Sequence, residues 1–177
     1  MTSTLVALAR TIVGSPLNKL ALSLLGGVPG FPPLVQTVHL LSIAAVMGSI
    51  VLFDLKVLGL ALPGQNTSEL VRRLMPWTWA ALPFLAVSGL VFVFARPFRY
   101  LVNPVFGLKF AMLMPAVILA IVFQRINRTN PEFWGKPGGS RVLGKIIAAA
   151  SLVLWIGVVM AGRWIAYVDY LFPEGGR

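Results

Sequence analysis

The sequence predicts an all-α polytopic membrane protein: a bundle of four transmembrane helices preceded by an N-terminal interfacial amphipathic helix. The 177 residues are 58% hydrophobic and only 11% charged, whereas a soluble globular domain carries about 25% charged residues. A chain this apolar cannot cover itself with polar surface, so its solvent must be lipid. The length fits one compact membrane domain without a separate soluble module.

Residues 1–30 are predicted to lie in the membrane interface as one segment. Arg10, Pro16 and Lys19 interrupt it, whereas a spanning helix needs about 20 predominantly apolar residues. Its apolar residues recur at helical spacing, which is typical of an amphipathic helix that lies along a surface. The start, MTSTL, lacks the basic residues of a secretory signal, so we expect no cleavage.

Residues 31–177 form the predicted transmembrane domain. A spanning helix needs about 20 apolar residues, and four runs meet this length, at about 34–53, 77–94, 105–123 and 142–163. Asp54 and Lys56 follow the first run and are predicted to be interfacial. Arg72 or Arg73 is the expected ion-pair partner there, at little net gain in stability.

The basic residues predict the orientation. The loops after the first and third runs hold more Lys and Arg than the opposite side, and such loops face the cytoplasm. We therefore expect a bacterial inner (cytoplasmic) membrane protein with both termini in the periplasm. The net charge of +10 is placed at the ends of apolar runs, which suits anionic lipid headgroups and does not suit a nucleic-acid binder.

His39 is the only histidine and lies just inside the first apolar run. Because successive spans alternate in direction, His39, Lys109 and Arg163 are all predicted at the outer end of the bundle. Ionisable groups inside a bilayer usually face the bundle interior and are functional-site hypotheses by default. With inward-facing polar and aromatic neighbours, the predicted ligand-binding set is Gln36, His39, Ser42, Lys109, Trp155 and Arg163.

Three interpretations of His39 stay open. One ring nitrogen can hydrogen-bond to a serine or a backbone carbonyl on a neighbouring helix, which would make it a packing residue. It can instead ligate a cofactor or metal, with Met112 or Met160 as the second ligand. Proton or quinone chemistry is the third role. Lys109 and Arg163 have an alternative of their own, since both side chains can extend to lipid headgroups.

Two stretches carry a family resemblance. They are His39-Leu40-Leu41 with Gly48-Ser49 and Asp54–Leu60, and Ser151–Trp155 with Ala161–Tyr167. The chain resembles a family of uncharacterised bacterial four-helix inner-membrane proteins, a domain of unknown function. It is more distantly similar to copper-resistance D-type and cytochrome b561-like membrane domains, which implies redox cofactors. Bis-histidine haem ligation requires two histidines, whereas the sequence contains a single histidine.

The sequence therefore predicts a ligand-binding or accessory membrane subunit, with an outer basic pocket around His39 suited to a carboxylate, a phosphate or an anionic lipid. The alternative is an electron-transfer subunit that binds haem b, through histidine and methionine, or a quinone. No Ser-His-acid set or carboxylate pair falls at one depth, so no catalytic residue is predicted. A homo-oligomer or a larger membrane complex is a further expectation.

Overall fold

A computed structural model describes residues 2–130, 133 and 139–167 of the chain. The last residues of the predicted domain, 168–177, lie outside this part. The described residues are mainly helical and include no β-strand. The α-helices in chain order are α1 (Thr2–Ile12), α2 (Pro16–Gly27), α3 (Phe31–Leu58), α4 (Thr67–Ala95), α5 (Pro97–Leu101), α6 (Pro104–Thr129) and α7 (Gly139–Trp164), followed by a 3-10 turn at Ile165–Tyr167.

Four of these helices, α3, α4, α6 and α7, are long and apolar enough to cross a membrane. Each contains one of the four predicted apolar runs, so the predicted number of such helices is confirmed. The N-terminal segment is divided into α1 and α2, which are bent by 68°. Taken together this pair is also apolar enough to count as one broken span, which would make five.

The long helices lie in the order α4, α3, α7, α6, and α4 and α6 share the smallest of the four interfaces around the bundle. His39 of α3 contacts Ser88 of α4, and Phe53 of α3 contacts Phe123 of α6. We call the end at which α3 and α6 begin the His39 end, and the opposite one the Asp54 end. The alternating directions match the prediction.

Glycine and asparagine residues set the ends of the helices. Gly30 before α3 and Gly59 after it have φ of 87° and 83°, a left-handed conformation that costs a glycine little because it has no Cβ. Asn66 and Asn103 cap α4 and α6 by accepting a hydrogen bond from a backbone N–H in the first turn. Asn103 also donates to the carbonyl of Ile165, which joins the start of α6 to the end of α7.

The two N-terminal helices pack against the His39 end. Asn18 of α2 is buried, and its Nδ2 donates to the carbonyl of Phe94 at 2.6 Å. Its Oδ1 accepts from the N–H of Gly14, 3.1 Å away, in the bend between α1 and α2. One amide side chain therefore holds the bend and attaches α2 to the end of α4.

Asp54 is not interfacial, and the predicted partnership with Arg72 or Arg73 is wrong. Its side chain is completely buried, and Arg73 pairs with Glu69 at 2.6 Å. The Ser151 hydroxyl of α7 faces the Asp54 carboxyl group, but neither carboxyl oxygen has a hydrogen bond of normal geometry within the described residues. Asp54 is buried because α3 continues about one turn past its apolar run, and Asp54 lies on the side of α3 that faces the bundle.

Candidate functional site

His39 is held by α4. It lies eight residues after the start of α3, about 12 Å along the helix axis at 1.5 Å per residue. Its Nδ1 is 2.8 Å from Oγ of Ser88. On the same turn of α4, a Cβ atom at Gly89 would be 3.7 Å from Cε1 of the ring. The small residues Ser88 and Gly89 therefore make the space that the imidazole occupies.

The hydrogen bonds of Ser88 decide which ring nitrogen is free. The Ser88 hydroxyl donates to the carbonyl of Phe84, one turn earlier. A hydroxyl has one proton, so a Ser88 that donates to Phe84 accepts from Nδ1–H of His39, and this hydrogen-bond network assigns the tautomer of the ring. In the neutral ring, Nε2 then carries the lone pair. Nε2 makes no hydrogen bond to the residues that the structure describes, and it is not among their enclosed polar atoms. It is available to a ligand.

Lys109 brings a positive charge to the same end. It lies five residues after the start of α6, is half-buried, and is close enough to His39 for the two groups to interact electrostatically. Its Nζ lies over α7, 3.6 Å from the position of a Cβ atom at Gly162. Within the described residues its ammonium group has no ion pair, since the acids there, Asp54 and Glu69, lie at the Asp54 end.

Three other predicted residues are placed differently. Gln36 is exposed, one turn closer to the helix start than His39. Arg163 is also exposed, with its guanidinium 5.8 Å from the ring centre of Tyr167. Ser42 is buried, but its hydroxyl donates to the carbonyl of Val38 in its own helix. The structure thus places His39 and Lys109 at the same end, within range of an electrostatic interaction, and leaves Gln36 and Arg163 exposed.

The remaining predicted residues lie on α6 and α7. Trp155 is buried, and its indole Nε1 has no partner within the described residues. It precedes Gly162 by two helical turns and so shares its face. Met112 lies in the contact between α6 and α7, with Sδ 2.6 Å from the position of a Cβ atom at Gly157. Met160 is 45% exposed. Metal or haem ligation by either methionine stays a prediction.

A family model covers most of this helical arrangement. It describes a family of unknown function, DUF6644, and it matches residues 14–168. The chain belongs to this family. The match supports the predicted resemblance to an uncharacterised family, and the more distant similarity to copper-resistance D-type and cytochrome b561-like domains stays a prediction. No curated protein and no solved structure matches the chain.

The residues that sequence reasoning missed in this DUF6644 chain are small. Ser88 and Gly89 form the wall beside His39. A Ser-Gly pair near the end of an apolar run was the available signal, because small residues in spanning helices mark close contacts. Assigning the pair to His39 required the relative height of α3 and α4. The loop of about eight residues between them constrains that height only loosely.

Proposed function

We propose that this DUF6644 protein is a non-catalytic membrane module that binds a small anionic ligand at the His39 end, alone or as an accessory subunit of a larger complex. The observation that carries the proposal is the pairing of an accessible Nε2 on a fixed imidazole with a lysine that has no acidic partner in the described part of the chain. Within the described residues, neither Nε2 of His39 nor the Lys109 ammonium group has a hydrogen-bond or ion-pair partner.

The chemistry of the two groups defines the ligand. Neutral His39 offers an acceptor at Nε2, and Lys109 offers an ammonium donor with a full charge. A molecule with a carboxylate or phosphate beside a hydroxyl group satisfies both. The position of the site, about 12 Å along α3, favours a ligand that enters from the lipid phase or whose polar end inserts between the helices.

Co-purification is the direct test. Protein extracted in mild detergent would be analysed by native mass spectrometry and by chromatography of the released small molecules. We expect one anionic species on the wild type, lost from His39→Ala and from Lys109→Met. Lys56→Met is the matched control, because Lys56 lies at the Asp54 end, bonded to the carbonyl of Leu62. Loss from all three variants, or from none, would contradict the proposal.

Quinone binding is a second candidate, favoured by the lone pair on Nε2, which can accept from the hydroxyl of a reduced quinone. Haem b has less support, because Met112 packs against Gly157 and Met160 is turned outward. Absorption spectra of oxidised and reduced protein separate these alternatives. A Soret band removed by His39→Ala would establish haem, and a redox-dependent ultraviolet change with an extracted quinone would establish the quinone.

We further propose that the four long helices cross a bacterial inner membrane with the His39 end facing the periplasm. The greater number of Lys and Arg residues at the Asp54 end supports this orientation. The chain has no cysteine, so in a single-cysteine variant a maleimide labels the introduced residue alone. An impermeant maleimide added to intact cells should label Phe98→Cys, an exposed position in α5, and leave Gln65→Cys unlabelled. The reverse pattern would refute the orientation.

A further inference from the structure

A pocket of about 620 Å³ lies at the Asp54 end, between the first turns of α4 and the last turns of α6. It occupies the smallest of the four interfaces in the bundle. Its principal lining residues are Arg72, Met75, Pro76, Gln124, Asn127 and Arg128. We call it the α4–α6 pocket. It is separated from His39 by most of the length of the helices, so the two sites are independent.

The pocket carries net positive charge. Arg72 and Arg128 line it, and neither makes a hydrogen bond or ion pair with any residue that the structure describes. Among the described residues, the acidic side chain in its wall is Glu69, whose carboxylate accepts from Arg73 at 2.6 Å. Two arginine residues therefore line the pocket without a counter-ion in the described part of the chain. Guanidinium groups match the oxygens of a phosphate in charge and in geometry.

The α4 wall of the pocket adds a demand for a hydrogen-bond donor. Pro76 lacks the N–H that would bond to the carbonyl of Arg72 in a regular helix, and both residues line the pocket. Asn127 closes the α6 wall, because its Nδ2 donates to the carbonyl of Ser68 at 3.4 Å and its Oδ1 is closed to solvent. The site thus suits a phosphate that also carries a hydroxyl group.

The level of the pocket identifies the source of that phosphate. Trp77 is 66% exposed and begins the apolar run of α4, where an aromatic side chain marks the boundary between hydrocarbon and headgroups. The pocket residues of α4 precede Trp77, and those of α6 follow the apolar run that ends at about residue 123. Val71, Met75 and Pro76 give the wall an apolar part. The pocket is therefore at headgroup level, on the more basic end of the chain.

We propose that the α4–α6 pocket binds the phosphoglycerol headgroup of an anionic membrane lipid. Arg72 and Arg128 bind the phosphate, a glycerol hydroxyl donates to the carbonyl of Arg72, and the first acyl carbons lie along the exposed Pro76. Basic pockets between spanning helices on the cytoplasmic side are typical binding sites for anionic headgroups. The site does not depend on the ligand proposed for His39.

Native mass spectrometry of the full-length protein tests this site with defined lipids. The protein would be titrated with phosphatidylglycerol and with phosphatidylcholine of the same acyl chains. We expect a preference for phosphatidylglycerol of about tenfold or more, lost in Arg72→Gln/Arg128→Gln. Arg125→Gln is the matched control, because Arg125 is exposed on α6 and does not line the pocket. The proposal would be overturned if Arg72→Gln/Arg128→Gln and Arg125→Gln lost the preference for phosphatidylglycerol equally, or if the wild type showed no such preference.

Two further probes use the wild-type protein and so avoid any folding defect. Phosphatidylmethanol has the charge of phosphatidylglycerol but no free hydroxyl, and we expect it to bind about fivefold more weakly because the Arg72 carbonyl keeps an unpaired acceptor. Glycerol 3-phosphate supplies the same headgroup chemistry from solution, and we expect little competition at millimolar concentration. Equal binding of phosphatidylmethanol and phosphatidylglycerol would overturn the role of the Arg72 carbonyl. Full competition would overturn the assignment to a lipid.

Discussion

The Sδ atom of Met112 lies 2.6 Å from the position that a Cβ atom would take at Gly157. No real Cβ could occupy that position without moving the methionine. Around Met112, the buried residues Val105, Ala161 and Ile165 form a small apolar cluster where α6 meets the end of α7. The glycine is therefore what allows these helices to approach closely, as small residues do in membrane bundles.

Gly157→Ala should leave the protein about 1 kcal/mol less stable than Gly48→Ala, because the added methyl group must displace the end of the Met112 side chain, which offsets the gain in helix propensity. Gly48→Ala is the control, since nothing lies within 4 Å of a Cβ at Gly48. It should be neutral or gain up to about 1 kcal/mol from helix propensity. Unfolding by SDS titration measures both, and Met112→Ala in the Gly157→Ala background should recover part of the loss. Equal stability of Gly157→Ala and Gly48→Ala would contradict the close contact.

Ser88→Ala should weaken ligand binding at the His39 end by about fivefold, the equivalent of one hydrogen bond of about 1 kcal/mol. The imidazole would lose the acceptor that fixes its orientation. Ser88→Thr keeps the hydroxyl and should bind like the wild type. The measurement is the fraction of purified protein that carries the co-purified ligand. If Ser88→Thr loses as much ligand as Ser88→Ala, the hydroxyl is not what matters.

Gly162→Leu should remove the anionic ligand while keeping every charge of the protein. A leucine there would occupy the space of the Lys109 ammonium group, whose Nζ is 3.6 Å from the first added carbon. Gly162→Ala is the matched control, because that distance is an ordinary van der Waals contact. We expect native mass spectra of Gly162→Ala to retain the ligand and those of Gly162→Leu to lose most of it. Retention by both would place the ligand away from Lys109.

Asp54→Asn should raise the free energy of unfolding by about 1–3 kcal/mol, because a carboxyl group buried without a partner is costly and an amide costs less. The asparagine Nδ2 can also donate to the Ser151 hydroxyl, which itself has no partner among the described residues. Glu69→Gln, at an exposed position, should change stability little. SDS titration checks both. A loss of stability in Asp54→Asn would mean that the carboxylate binds a cation or ordered water.

The number of long helices followed from the sequence, whereas their ends did not. An apolar run marks the part of a helix inside hydrocarbon, and the helix continues as long as backbone hydrogen bonds and packing support it. For this reason α4 begins at Thr67, ten residues before Trp77. The prediction that Asp54 is interfacial failed for the same reason. A charged residue after an apolar run usually marks the point where a helix leaves the membrane, but Asp54 is completely buried in the bundle.

The candidate site was predictable in part. Alternating helix directions brought His39 and Lys109 to one end without any structure. Their neighbours Ser88 and Gly162 depend on the relative rotation and height of separate helices, which no pattern within one helix determines. The pocket between α4 and α6 was beyond prediction for the same reason, because it depends on two helices failing to pack closely.

The chain folds as two consecutive helical hairpins, α3–α4 and α6–α7, that meet mainly through α3 and α7. Because α4 and α6 share the smallest interface around the bundle, the side at which they face each other is where the two hairpins are joined least. A lipid bound in the α4–α6 pocket, as proposed, would contact both hairpins on that side and so add a connection that the protein itself provides only weakly.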